Sequence, residues 1–107
     1  MMRELTKEEQ ARYSRMISLP EMGEESLIKL KQSKVLVIGA GGLGSVTIPS
    51  LAAAGVGNLG IVEFDKVEES NLQRQLLYTP SDIGKEKIHI AKTKAEQLNP
   101  NIEISIY

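Results

Sequence analysis

A short run of glycines after an apolar stretch is the first place in this chain where chemistry could be done. Lys34-Val35-Leu36-Val37-Ile38 runs into Gly39-Ala40-Gly41-Gly42-Leu43-Gly44, and a helix-like pattern follows at once. Gly39, Gly41 and Gly44 match the spacing of the dinucleotide-binding fingerprint. In that fingerprint the first glycine makes the tight turn, the second lets phosphate approach the backbone, and the third lets helix and strand pack closely. Glu63 lies about twenty residues beyond the turn, where an acid can hold ribose hydroxyls. Asp65 competes for that role. The segment Ser70-Asn71-Leu72-Gln73-Arg74-Gln75 then groups hydroxyl, amide and guanidinium donors. Arg74 offers forked donors suited to phosphate oxygens. Lys87 falls in the first turn of a predicted helix, against the dipole preference for anions there. Such a cation is either a solvated surface charge or a useful neighbour of a bound triphosphate. The pattern points to nucleotide binding, and the glycines alone do not choose the nucleotide.

The elements that must hold these residues are legible in part. Thr6-Lys7-Glu8-Glu9 has the form of a capping box, which predicts a helix from Lys7 that carries Tyr13 and Arg15 and stops before Pro20. Arg12 and Arg15 share one face of it, and spacing alone reads them as solvated charges. A second helix is expected over Glu24 to Lys31. Lys34 to Ile38 reads as a buried parallel strand. Leu43, Thr47, Ser50, Leu51 and Ala54 recur at helical spacing after the glycines. Pro49 removes a backbone donor inside that helix, so a kink or loosened turn is expected. Leu59 to Phe64 is a second strand, Asp65 to Ile83 a long loop of the kind that often carries function. Lys85 to Leu98 is a helix with Ile88, Ala91, Ala95 and Leu98 as its apolar stripe, and Ile102 to Ile106 alternates as a third strand.

This order, β-α-β-loop-α-β after two short N-terminal helices, predicts an α/β, Rossmann-like fold with a partial doubly wound parallel sheet. Residues 1–33 form an N-terminal helical segment and 34–107 the first half of a nucleotide-binding domain. Right-handed crossovers with strands in the order three-two-one put both crossover helices on one face. The other face must be covered by the N-terminal helices, a partner, or sequence beyond this chain, and the first strand keeps an unpaired edge. The chain therefore reads as a fragment or as one half of an assembly.

Composition narrows the class further. The 107 residues are 41% hydrophobic and 25% charged, with a net charge of −1. That balance makes no electrostatic case for nucleic acid or an acidic membrane. The absence of cysteine removes disulfides, thiolate metal sites and thiol nucleophiles. Met1 to Gln10 lacks the apolar core of a signal peptide, and a cytoplasmic setting is expected. His89, the only histidine, has no nucleophile or metal cluster beside it in sequence and reads as structural or surface.

Arg12-Tyr13-Ser14-Arg15, the Gly39-to-Gly44 turn, Ala54-Gly55-Val56-Gly57, Ser70-Asn71-Leu72-Gln73-Arg74-Gln75, Gly84 with Lys87, and Leu98-Asn99-Pro100 occur in one order. Jointly they resemble the N-terminal half of the ThiF/MoeB/HesA family, relatives of ubiquitin-activating enzymes. The resemblance implies an ATP-dependent adenylyltransferase acting on the C-terminal glycine of a ubiquitin-like sulfur-carrier protein. It implies that Gly42 and its neighbours contact ATP, that Glu63 holds the ribose, and that Asn71, Arg74 and Lys87 meet the phosphates. Ser70, Leu72 and Gln73 belong to the same binding segment. Arg15 matches an arginine that reaches the triphosphate across a homodimer interface. Mg²⁺ is implied, with its ligand expected beyond Tyr107. Three positions depart from the family pattern: Met16 replaces a glutamine, Glu86 a proline, and Glu63 the commoner aspartate. Two other readings compete. An NAD-dependent oxidoreductase fragment would explain the glycines and Glu63 but has no need of Asn71, Arg74 and Lys87. A non-catalytic dimerising module would keep the fold without the activity.

Overall fold

A computed structural model describes residues 4–107; the first three residues of the stretch read for a leader lie outside the described residues. The elements in chain order are α1 (Lys7–Arg12), α2 (Ser14–Ile17), α3 (Gly23–Gln32), β1 (Lys34–Ile38), α4 (Gly44–Ala54), β2 (Asn58–Val62), α5 (Lys87–Leu98) and β3 (Glu103–Ile106), with 3₁₀ turns at Glu69–Asn71 and Pro80–Asp82. The three strands are parallel in the order β1-β2-β3. Val35 pairs with Leu59 and Val37 with Ile61, and Leu59 and Ile61 pair in turn with Ile104 and Ile106. These six residues share one face, because side chains alternate along a strand. Ile48 and Ala52 of α4 and Ile88, Ala91 and Ala95 of α5 cover that face and form the main core with Leu59 and Ile61. Alanine at three of these positions lets helix backbones approach the sheet closely. The architecture is the predicted α/β, Rossmann-like one.

Four local expectations differ. The first helix is two helices, broken at Tyr13. Tyr13 is buried, and its hydroxyl accepts from Asn99 Nδ2 at 2.7 Å while its ring covers Gly55, so a distant partner overrides the local helical pattern. β2 ends at Val62 rather than Phe64. There Glu63 turns its carboxylate back onto the amides of Phe64 and Asp65, which ends the ladder. The long loop contains the two 3₁₀ turns and a bridge between Lys66 and Glu86. Finally, α4 runs through Pro49 without interruption.

The N-terminal helices leave the second face of the sheet bare and pack at the edge where the strands begin. Thr6 and Glu9 form the capping box of α1, with Thr6 N–H donating to Glu9 Oε1 at 2.9 Å and Glu9 N–H to Thr6 Oγ1 at 3.1 Å. Lys31 Nζ closes on the same Oε1 at 2.7 Å. Burial alone would raise the Glu9 pKa, but Lys31 and the Thr6 amide hold it below its ordinary value. Asn99 is fully buried and donates to Tyr13 Oη and to the Ala52 carbonyl, at 2.7 and 2.8 Å. Arg12 Nη1 donates to the Leu98 carbonyl at 2.7 Å. On the bare face, Leu36 and Tyr107 close over Gly60, and Ile38 is 78% exposed.

Candidate functional site

The glycine turn stands at the C-terminal end of β1, where ligands of open α/β sheets bind. Gly39 takes φ +95°, a left-handed conformation that a side chain would strain. A Cβ on Gly44 would lie 2.0 Å from the Gly39 carbonyl oxygen, so only glycine lets α4 start so close to the strand end. Gly42 faces open space, with nothing within 4 Å of where a Cβ would stand. Among the described residues, the amides of Gly41, Gly42, Leu43 and Gly44 donate to no protein acceptor. Four consecutive free N–H groups at a helix start make an anion cradle.

Glu63 bonds to this turn, and the Lys87 ammonium lies near its carboxylate. Glu63 Oε1 accepts from the Ala40 amide at 2.6 Å, and Oε2 accepts from Phe64 and Asp65 at 3.0 and 2.8 Å. Burial would raise the Glu63 pKa, but the three amides and the nearby Lys87 ammonium lower it, so the group is ionised at neutral pH. A carboxylate has about four acceptor sites. The three amides leave one on Oε1, enough for a single ribose hydroxyl. Lys87 is the first residue of α5 and only 5% exposed. Its Nζ lies 5.9 Å from the Tyr78 ring centroid, and no carboxylate among the described residues reaches it within salt-bridge distance. A buried cation without an ion-pair partner is costly, and a polyanion would relieve it. Arg74 is exposed, with Nη1 donating to the Ser70 carbonyl at 3.1 Å.

The remaining predicted residues divide. Asp65 is exposed and uses its backbone, donating to Glu63 and accepting from the Lys87 amide at 3.0 Å. Asn71 is buried and spends Oδ1 on the Glu68 amide at 3.0 Å, closing the first 3₁₀ turn. Leu72 packs on the main core, while Ser70 and Gln73 face solvent. A crevice of about 410 Å³ at the strand ends is lined by Glu63, Asp65, Glu86, Ile88 and Tyr107. No group of three His, Cys, Asp or Glu residues among the described residues is arranged to hold a metal ion. His89 is exposed beside Glu86 at 3.1 Å.

Arg15 lies elsewhere. Its helix follows Tyr13, which packs against Gly55 at the far end of α4. The eleven residues of α4 separate that end from the glycine turn, a length of about 16 Å.

Sequence reasoning missed Tyr78 and named Gln75 only as the last residue of the donor segment, yet both touch the turn. Tyr78 Oη donates to the Ala40 carbonyl at 2.5 Å. The Gln75 amide sits against Gly41, 3.5 Å from where its Cβ would stand, and Gln75 Oε1 is buried without a partner. The one available signal for Tyr78 was general: a buried tyrosine hydroxyl needs an acceptor.

No helix among the described residues is long and apolar enough to cross a membrane. Residues 13–107 match the ThiF family. Over 103 residues the chain is 48% identical to a probable adenylyltransferase/sulfurtransferase MoeZ of Mycobacterium tuberculosis, covering 96% of this chain and 26% of that one. It is also 48% identical over 102 residues to a sulfur carrier protein adenylyltransferase of Thermus thermophilus, covering 95% and 38%. The crystal structure of E. coli MccB with ATP superimposes with a TM-score of 0.80 at 32% identity, over 90% of this chain and 30% of that one. The chain thus spans between a quarter and two fifths of the length of these relatives. With a glycine turn bonded to a strand-end acid, a buried lysine near that acid, and this similarity across nearly its whole length, the chain belongs to the ThiF family.

Proposed function

We propose that this chain supplies the nucleotide-holding part of an ATP-dependent adenylyltransferase that activates the C-terminal glycine of a ubiquitin-like sulfur-carrier protein. The observation that carries this reading is the row of unengaged amides at Gly41–Gly44, flanked by ionised Glu63 and buried Lys87. The cradle suits phosphate, Oε1 of Glu63 can accept one ribose hydroxyl, and Lys87 and Arg74 can neutralise phosphate charge. In the reaction a carboxylate oxygen of the carrier bonds to the α-phosphorus, the bond to the β-phosphate oxygen breaks, and pyrophosphate leaves with the electron pair. The product is an acyl-adenylate. The chain's contribution is positioning and charge stabilisation. Mg²⁺ bound to the phosphates would share that charge.

A homodimer belongs to the proposal. Arg15 stands a helix length from its own glycine turn, so a contact with triphosphate requires a second copy. An apolar groove of about 490 Å³ beside the turn, lined by Val46, Pro49, Leu76 and Leu98 among others, is a surface such a copy could cover. A cytoplasmic setting completes the reading.

Thermal shift with ATP–Mg²⁺, with NAD, and without ligand tests the nucleotide choice, since a ligand of the folded state raises its melting temperature. ATP is expected to stabilise and NAD not to. Stabilisation by NAD alone would transfer the chain to the oxidoreductase reading. Binding of neither would leave the dimerising module.

A further inference from the structure

Ala40 is the only non-glycine residue between Gly39 and Gly42, and both of its backbone polar groups are held from outside the turn. Its N–H goes to Glu63 Oε1, and its carbonyl accepts from Tyr78 Oη. The Ala40 carbonyl and the Gly41 N–H belong to one peptide plane. In a trans peptide they point in opposite directions. Tyr78 is buried, so its hydroxyl pulls the carbonyl inward and turns the Gly41 N–H outward, toward the open side where Gly42 faces free space. The same ring lies under the Lys87 ammonium. One side chain therefore sets two cationic or donor groups of the cradle that come from separate elements.

We propose that Tyr78 is a positioning residue for the nucleotide phosphates: its hydroxyl fixes the Ala40–Gly41 peptide so that the Gly41 amide is presented to an anion. This rests on the nucleotide-site reading above. The hydroxyl stays protonated as a donor through neutral pH, because burial, with Glu63 and Asp82 nearby, pushes its pKa upward. A glycine-flanked peptide without this anchor can rotate, since glycines tolerate either orientation.

The test compares the full chain with Tyr78→Phe, which keeps the ring under Lys87 and removes the hydroxyl. Calorimetric titration with ATP and with adenosine separates phosphate from nucleoside recognition. Tyr78→Phe is expected to weaken ATP binding about tenfold, the scale of one well-oriented hydrogen bond to a charged group. Adenosine binding should stay unchanged. Equal losses for both ligands, or no loss for either, would overturn the assignment. Hydrogen exchange of the Gly41 amide without ligand gives a second readout, independent of any nucleotide. It should change in Tyr78→Phe, and an unchanged rate overturns the positioning role even if ATP binds. Wild-type chain that binds no ATP would instead sink the nucleotide reading itself. Replacing Tyr78 with p-aminophenylalanine, which restores a donor in the same shape, should rescue ATP binding; failure to rescue points to packing alone.

Discussion

The two ends of the sheet are built from similar parts and do opposite things. At the end where the strands begin, Gly55 and Gly57 let Tyr13 and α3 come close, and a Cβ on Gly57 would lie 1.7 Å from the Lys31 carbonyl oxygen. The groups there are spent on one another: the Gly57 amide donates to Leu30, and Asn99 to Tyr13 and Ala52. At the other end, Gly39 and Gly44 permit an equally close approach, yet the amides of Gly41 to Gly44 donate to no protein acceptor among the described residues. Close packing alone therefore does not mark a site. A close-packed turn that leaves its donors unspent does.

The largest expected effects test that contrast inside one turn. Gly44→Ala forces a backbone–backbone overlap and should abolish folding or lower stability by at least about 3 kcal/mol, in the range of severe core overpacking. Gly42→Ala meets no atom, so its melting temperature should match wild type while ATP affinity falls. Equal melting temperatures for the two variants would erase the distinction. At the closed end, Asn99→Ala strands the buried Tyr13 hydroxyl and leaves the Ala52 carbonyl with the Gly55 amide alone, and urea melts should show a loss of about 1–3 kcal/mol. ATP affinity at saturating folded protein should not move with it.

Lys87→Met offers the reverse. It replaces a buried cation that lacks a salt bridge with an apolar chain of similar length, so stability should hold or rise. ATP affinity should fall about tenfold, or about 1.4 kcal/mol. A normal titration curve in this variant removes Lys87 from the site.

Much of this was visible in the sequence because the signals were local. The apolar run of β1, the glycine spacing and the alternation of β3 each lie within a few residues, and the structure follows them in element type, although Leu36 and Ile38 of β1 are exposed rather than buried because the second face of the sheet is bare. The break at Tyr13 was not visible, since its cause, Asn99, is 86 residues away. Asn71 looked like a free donor, but whether an asparagine amide faces a ligand or closes a turn depends on backbone geometry that composition does not carry. Tyr78 bears no charge and fits no spacing, so nothing local separated it from core residues, while Gln75 stood in the donor segment without a sign that its amide would pack on Gly41.

The smallest effect is in acid. Glu9, at the closed end, and Glu63, at the open end, both have pKa values below the ordinary 4.5, and Asp82 lies below its ordinary 3.8. For Asp82, burial opposes the shift and the Thr79 amide with Lys94 outweighs it. A carboxyl with a lowered folded pKa contributes stability that is complete above its unfolded value and disappears as pH falls through the folded one. Urea melts should therefore be level from pH 7 to about 5 and decline below the ordinary carboxyl values. Glu63→Gln and Glu9→Gln should each flatten part of that decline, and a slope unchanged in both would assign it to other groups.

The contact between Tyr13 and Asn99 also has a consequence in time. Arg12 and Tyr13 near the start of the chain bond to Leu98 and Asn99 near its end, each across 86 residues. Closing so long a loop is entropically expensive until the intervening strands are in place. The N-terminal arm should accordingly dock last, after α4 and α5 have met the sheet. During synthesis it must wait until Asn99 has emerged from the ribosome, and in refolding it should be the last segment to resist a protease.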